Sequence, residues 1–246
     1  MTDTPVVELD GAARSFGSGH TEVVALHPTS LAVGTGELVA VMGPSGSGKT
    51  TLLSLVGGLD RATSGRVLVE GVDVGRLDAK KLAVLRRRTV GYVFQDLNLL
   101  AGLTARENAS LPLELDGRSL SQARAEAESA LRAVGLEGLS DRFPDDLSGG
   151  EQQRVAIARA MVGGRRILLA DEPTGALDSM TGESVMRLLR AHCDAGGTAI
   201  LVTHDAAHAA WADRVVFLRD GRVVDESRPP SGSDVAEPHP VPVGAT

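Results

Sequence analysis

The sequence predicts an α/β domain with a mixed, largely parallel sheet, an antiparallel β addition and an all-helical insertion. Three observations predict it. Short apolar runs rich in Val and Leu recur at residues 6–9, 23–26, 38–42, 67–69, 90–94, 167–170, 199–202 and 215–218, with the length and composition of buried strands. Segments of helical character lie between several of them, at 50–56, 77–87, 152–161 and 182–191, the alternation that builds parallel sheets. From about 103 to 162 the strand signals vanish and the chain reads as helices alone.

Taken in chain order, the early strands are joined by short Gly-containing links, which predicts the antiparallel addition. The helical stretch is expected to break at Pro112, Gly117, Gly135 and Pro144. Within it, Ser119 or Ser121 caps a helix running to Val134, with Leu120, Ala123, Ala127, Ala130, Leu131 and Val134 on its apolar side. After Glu226 the chain turns rich in Pro, Gly, Ser and Val without periodicity. The expected organisation is therefore a domain at 1–226, with its helical part at 103–162, and a disordered tail at 227–246.

Composition narrows the function classes. Of 246 residues 42% are hydrophobic but only 2% aromatic, so the core must be built from Leu, Val, Ile and Ala. A formal charge of -7 argues against a protein that neutralises phosphates along nucleic acid. Cys193 is the only cysteine, which excludes a disulfide framework, and it reads as a helix residue without redox work. His20, His27, His192 and His208 lack paired ligand spacing, so no structural metal is expected. The first residues lack the basic and apolar stretches of a leader, and no run of 18 apolar residues occurs. The run Arg86-Arg87-Arg88 reads as a solvated helix end, and Trp211 as packing behind the loop that carries His204.

The richest segment is Gly43-Pro44-Ser45-Gly46-Ser47-Gly48-Lys49-Thr50, followed by Thr51. It matches G-x-x-x-x-G-K-[ST] between an apolar run and a helix, the context this motif needs. The glycines let successive N–H groups face one point, and the helix start adds its positive end, which makes a phosphate cradle. Lys49 would reach the β- and γ-phosphates, and the Thr50 hydroxyl is a hard oxygen donor for Mg²⁺.

A second segment, Ile167-Leu168-Leu169-Ala170-Asp171-Glu172, reads as a buried strand ending in two carboxylates. Side chains alternate along a strand, but at its exit the backbone turns, so both carboxylates can approach one site. Asp171 suits Mg²⁺ and its water shell; Glu172 suits the orientation, or the deprotonation, of an attacking water.

A third segment, Leu147-Ser148-Gly149-Gly150-Glu151-Gln152-Gln153-Arg154, resembles the signature of the ABC transporter ATPases. It is also a capping box, Ser148 with Glu151, opening a helix, and the two readings are compatible. A capped helix start with two glycines offers amides and a positive dipole end to an anion. The resemblance extends from residue 6 to about 225. It implies a P-loop NTPase core of the ABC type, with Ser148, Gly149 and Gly150 binding the γ-phosphate of an ATP held by the opposite subunit of a head-to-tail homodimer. It further implies that Gln95 contacts Mg²⁺ and water at a surface facing a permease. Asp178, in Ala176-Leu177-Asp178, would link the two sites, and His204 would sense the γ-phosphate. Phe16 stands where the family places an aromatic that stacks on adenine, though a Phe before a Gly-Ser turn is also an ordinary core residue.

Within the family, Gly57-Gly58-Leu59-Asp60, Val93-Phe94-Gln95, the Glu151-containing signature and the stretch from Ala170 to Ser179 are most similar to the macrolide-export and lipoprotein-release group. That likeness implies an ATP- and Mg²⁺-dependent ATPase on the cytoplasmic face of a membrane, driving a separate permease with a large extracytoplasmic domain in efflux or mechanotransmission. The alternatives are a regulatory ATPase controlling a cell-envelope enzyme and a soluble, non-transport member of the family. The second is disfavoured by the negative charge and by the absence of a long coiled-coil insertion between Gly48 and Leu147.

Overall fold

The computed structural model describes residues 4–227 apart from Ala176 and Asp178. In chain order the strands and α-helices are β1 (Val7–Phe16), β2 (Val23–Val33), β3 (Leu38–Met42), α1 (Lys49–Val56), β4 (Ser64–Val69), β5 (Val72–Asp73), α2 (Ala79–Arg88) and β6 (Val90–Val93). There follow α3 (Ala105–Leu115), α4 (Leu120–Ala133), α5 (Gly149–Met161), β7 (Ile167–Asp171), α6 (Ser179–Asp194), β8 (Thr198–Val202), α7 (Ala206–Ala209), β9 (Arg214–Arg219) and β10 (Arg222–Ser227).

Two sheets form. One has the order β2-β1-β4-β5 with antiparallel neighbours throughout; the other has the order β10-β9-β3-β8-β7-β6, in which only the β9–β10 pair is antiparallel. The mixed sheet with an antiparallel addition is the architecture the sequence predicts. Its central strands read as unbroken apolar runs because both faces are covered. Leu38 and Ala40 of β3, Leu168 and Ala170 of β7, and Ala199 and Leu201 of β8 pack with buried residues of α3 to α6. Their alternates Val39, Val41, Ile167, Leu169, Ile200 and Val202 pack with α1 and the antiparallel sheet.

Between β6 and β7 the described chain has no strand. Ser119, not Ser121, caps α4, accepting from the Gln122 amide, and Thr104 with Glu107 forms a capping box at the start of α3. Pro112 does not break the chain there. It lies inside α3, which runs on to Leu115 while packing against α4 and α5. Its missing N–H removes one helical hydrogen bond, and burial of the rest of the helix offsets that loss.

The arginine run ends α2, as expected, but only Arg88 is largely exposed, and all three guanidiniums are engaged. Arg86 donates to the Gly58 carbonyl at 2.8 Å, and Arg87 and Arg88 reach Asp116 at 3.3 and 2.9 Å. Asp116 closes α3, so a carboxylate 28 residues downstream meets the run, an encounter invisible in local sequence. The pair of guanidiniums holds the Asp116 carboxyl below the ordinary range. Cys193 lies buried in α6, where burial pushes its thiol up to about 11.

Two strands were not legible as apolar runs, β5 and β10. Each follows a two-residue turn whose central residues both have positive φ: Glu70-Gly71 at 49° and 74°, and Asp220-Gly221 at 47° and 70°. That geometry matches the right-handed twist of hairpin strands. The tail expected from 227 onward lies outside the described residues except for Ser227, which ends β10. Among the described residues no helix is long and apolar enough to cross a membrane.

Strand β6 touches α5 at one tight point. A Cβ on Gly91 would stand 2.0 Å from the Ala160 carbonyl oxygen. Gly91→Ala must push the helix off the sheet edge, and we expect a loss of about 3 kcal/mol, read as a lowered urea midpoint at unchanged m-value.

Candidate active site

Strands β3, β6, β7 and β8 are mutually parallel, so their carboxyl ends open on the same edge of the sheet. In open α/β sheets this is the edge where ligands bind. What leaves it here is the loop 43–48 from β3, Gln95 from β6, Asp171 and Glu172 from β7, and His204 from β8. These groups line one cleft of about 960 Å³, which takes in residues 43–51 together with Gln95, Asp171, Glu172 and His204. Gly149 and Gln153 of α5 complete its wall.

The loop owes its path to glycine. Gly43 has φ 153°, and a Cβ there would lie 2.1 Å from the Leu218 carbonyl oxygen. Gly48 has φ 100° at the start of α1, and a Cβ there would lie 2.4 Å from the Ala25 carbonyl oxygen. No side chain fits either place. Lys49 is almost buried, and its ammonium donates to the carbonyls of Gly43 and Pro44 at 2.8 and 3.0 Å. The buried Ser47 hydroxyl has no hydrogen-bond partner among the described residues, and Gln153 Nε2 on the cleft wall has none either. A glycine-lined cradle that contains a lysine and orphaned polar atoms fits a phosphate chain.

Asp171 ends β7 inside the protein. Burial raises its pKa above the ordinary carboxylate range; a hydrogen bond to Thr50 opposes this, the charge of Glu172 adds to it, and Lys49 opposes it. Thr50, Gln95 and Asp171 bring a hydroxyl, an amide oxygen and a carboxylate to the cleft, a hard-oxygen set suited to Mg²⁺ with its waters.

Glu172 has φ 48°, a left-handed backbone that is uncommon for a residue with a side chain. Its amide donates to the Val202 carbonyl at 3.0 Å, which anchors it to β8. The turn swings its carboxylate to the same cleft as that of Asp171. There Oε2 lies 2.7 Å from Nδ1 of His204, whose ring is otherwise largely exposed. Trp211, with His204, lines a second, smaller cavity behind this loop.

The helix start at α5 has both bonds of its capping box. Ser148 Oγ accepts from the Glu151 amide at 3.3 Å, and Glu151 Oε2 accepts from the Ser148 amide at 2.7 Å. Ser148 and Gly149 are exposed, and a Cβ on Gly149 would meet open space. Ser148 and Gly150 do not line the cleft, and Gly150 instead lies against Thr181 of α6. Phe16 is 44% exposed and also stands apart from the cleft lining, with the Arg14 guanidinium over its ring at 4.4 Å. Asp178 lies outside the described residues.

Some contributors were not legible in the sequence. Ala25 lines the cleft and braces Gly48, while the Gly221 amide donates to the Ser47 carbonyl at 3.0 Å. Both act through backbone, which carries no residue-type signal, although Asp220-Gly221 marks the turn. Gln153 could have been found, because it follows Gly149 by four residues and so shares its helix face.

The sequence pattern of the family described as ABC transporter matches residues 26–175. The chain belongs to the ABC transporter family. It is 48% identical to the macrolide export ATP-binding/permease protein MacB of Chromobacterium violaceum, over 92% of this chain and 35% of that protein. It is 50% identical to the protein of the same name from Rhodospirillum rubrum, over 95% of this chain and 37% of that one. The chain thus spans about a third of the length of these curated relatives. Among solved structures, the dimeric post-hydrolysis state of the ATP-binding cassette MJ0796 bound to ADP and Pi has a TM-score of 0.85 at 41% identity, covering 90% of this chain and 98% of that one. The structure of cbiO1 from Clostridium perfringens, part of the ABC transporter complex cbiONQ, has a TM-score of 0.82 at 28% identity, covering 92% and 90%.

Hydrogen bonds from Ser148 hold the Glu151 carboxyl below its ordinary range. A depressed acid stabilises the fold above its unfolded pKa, and that contribution is lost as pH falls through the folded value. Glu151→Ala should therefore cost about 1 kcal/mol at neutral pH. Denaturant unfolding across pH should show this difference shrinking once pH drops below about 4.3.

Proposed function

We propose that two copies of this chain close head to tail over two ATP molecules, and that closing and opening is the work delivered to a membrane permease. The permease of this reading carries a large extracytoplasmic domain, the chain sits on the cytoplasmic face of the membrane, and the process is efflux or mechanotransmission. The observation that carries the chemistry is the convergence of loop 43–48, Gln95, Asp171, Glu172 and His204 on one cleft at the sheet edge. The dimer rests on the exposed helix start at Ser148 and Gly149, where the capping box takes up the Ser148 and Glu151 amides and the helical amides between them, those of Gly149 and Gly150, have no carbonyl of their own helix to bond.

In this mechanism the loop amides and Lys49 bind the β- and γ-phosphates, and the base packs toward Phe16. Thr50, Asp171 and Gln95 hold Mg²⁺, which when bound neutralises charge on the transferring phosphoryl group. Glu172 orients a water in line with the γ-phosphate and takes its proton as the water attacks. His204 keeps the Glu172 carboxylate turned into the cleft and reads the γ-phosphate from its exposed side. Ser148, Gly149 and Gly150 of the other copy close over that phosphate, and Asp178, outside the described residues, is assigned to linking the two sites. Once the phosphate is cleaved the bridge is gone and the copies part.

Glu172→Gln keeps the shape but loses the base. The variant should bind ATP normally, hydrolyse it at least about a hundredfold more slowly and elute as an ATP-dependent dimer in size exclusion. Full activity in that variant would remove Glu172 from its role. Ser148→Arg should leave binding of a fluorescent ATP analogue to the monomer intact while abolishing both hydrolysis and the trapped dimer. Loss of nucleotide binding by the monomer would refute the cross-dimer assignment.

A further inference from the structure

The segment that carries Gln95 is anchored at both ends, and in the middle its own backbone closes a tight turn, the Leu97 amide donating to the Phe94 carbonyl at 3.1 Å and the Asn98 amide to the Asp96 carbonyl at 2.5 Å. Upstream, Phe94 stacks on Tyr92 with ring centroids 4.2 Å apart. Downstream, the fully buried Asn108 of α3 accepts from the Leu100 amide at 2.8 Å and donates to the Leu100, Leu103 and Thr104 carbonyls. Between these anchors Leu97 and Asn98 occupy consecutive left-handed positions, φ 57° and 50°. Asn tolerates that region; Leu pays a steric penalty there.

One side chain holds the strained pair. Arg159, near the end of α5, donates from Nη2 to the Leu97 carbonyl and from Nη1 to the Asn98 carbonyl, both at 2.5 Å. Two successive left-handed residues turn their carbonyls to one side, and the planar fork of a guanidinium matches that spacing where an ammonium does not. Burial lowers the Arg159 pKa, and among the described residues no carboxylate pairs with it, so its donors are committed to these carbonyls. Arg165, buried in turn, donates to the Arg159 and Ala160 carbonyls at 2.6 and 3.1 Å and to the Arg87 carbonyl at 3.0 Å, which fixes the helix end that presents Arg159.

We infer that Arg159 is a positioning residue for Gln95: it clamps the strained turn after Gln95 and thereby keeps the amide side chain on the wall of the cleft shared with Thr50 and Asp171. The inference rests on the reading of Gln95 as a Mg²⁺ contact. It goes beyond that reading by giving α5, the helix opened by Ser148, a hold on the turn that follows Gln95 through an arginine at its far end.

Two measurements test it, on Arg159→Gln, Arg159→Lys, Gln95→Ala and the Arg159→Gln/Gln95→Ala pair. In hydrogen exchange on the nucleotide-free protein, Arg159→Gln should speed exchange of the Leu97 and Asn98 amides while β7 and the middle of α5 stay protected. In ATPase titrations, the Mg²⁺ concentration for half-maximal rate should rise about tenfold in Arg159→Gln and in Gln95→Ala alike, and no further in the pair. Arg159→Lys, with its charge but no fork, should fall between, and it carries the test alone if the Gln variant does not fold. Unchanged exchange at Leu97 and Asn98 overturns the clamp. A Mg²⁺ requirement that moves in Gln95→Ala but not in the Arg159 variants, or shifts that multiply in the pair, overturns action through Gln95. If Gln95→Ala leaves the Mg²⁺ requirement unmoved, the metal reading of Gln95 falls, and the exchange result alone decides whether Arg159 holds the turn.

Discussion

The two sheets meet at the phosphate loop, and the rest of the site depends on that junction. The Gly221 amide holds the Ser47 carbonyl, the His27 amide holds the Gly221 carbonyl at 2.7 Å, and the Ala25 carbonyl presses against Gly48. A strand of the antiparallel sheet, a hairpin turn of the parallel-rich sheet and the loop itself are thereby locked in one cluster of backbone contacts. Their closeness is what excludes side chains from Gly43 and Gly48, and it aims α1 and Lys49 from a fixed point. The antiparallel sheet is thus part of the wall that shapes the loop, as well as cover for a core.

The neighbouring carboxylates show how a strand with alternating side chains can deliver two adjacent residues to one cleft. Asp171 keeps extended strand backbone and stays buried, while Glu172 adopts the left-handed turn. That turn costs on the order of 1–2 kcal/mol. It is offset by the bonds of Glu172 to Val202 and His204, both from β8 or the loop after it. Strain held at such a point is a reason to look for function there, and the cleft supplies it.

How much of this was legible in the sequence follows from where the information lies. The strands of the parallel sheet were legible because burial on both faces makes them continuous apolar runs. The residues at their exits were legible because the motifs are contiguous: 43–50 follows β3 and 171–172 ends β7, each within a few positions of chain. Strands β5 and β10 were missed because their signal is the turn before them, and Val223 and Val224, exposed on an edge, do not build a buried run. The arginine run was misjudged in part because Asp116, the partner of Arg87 and Arg88, is supplied by distant chain. Arg159 drew no reading from the sequence for the same reason, its partners being the Leu97 and Asn98 carbonyls. Pro112 failed as a stop signal because packing against α4 and α5 outweighs one missing hydrogen bond.

The scarcity of aromatic residues has an optical consequence. The chain contains one Trp and one Tyr. Trp211 borders the small cavity that His204 shares with Glu172, and Tyr92 stacks beneath the segment that carries Gln95. Excited beyond the absorption band of its four phenylalanines, the unlabelled protein therefore emits from two places only, one beside the loop after β8 and one beside the loop after β6. Excited at the red edge of the indole band, it emits from the first alone. The protein carries its own chromophores at two loops that border the cleft, with no engineered label needed to tell them apart.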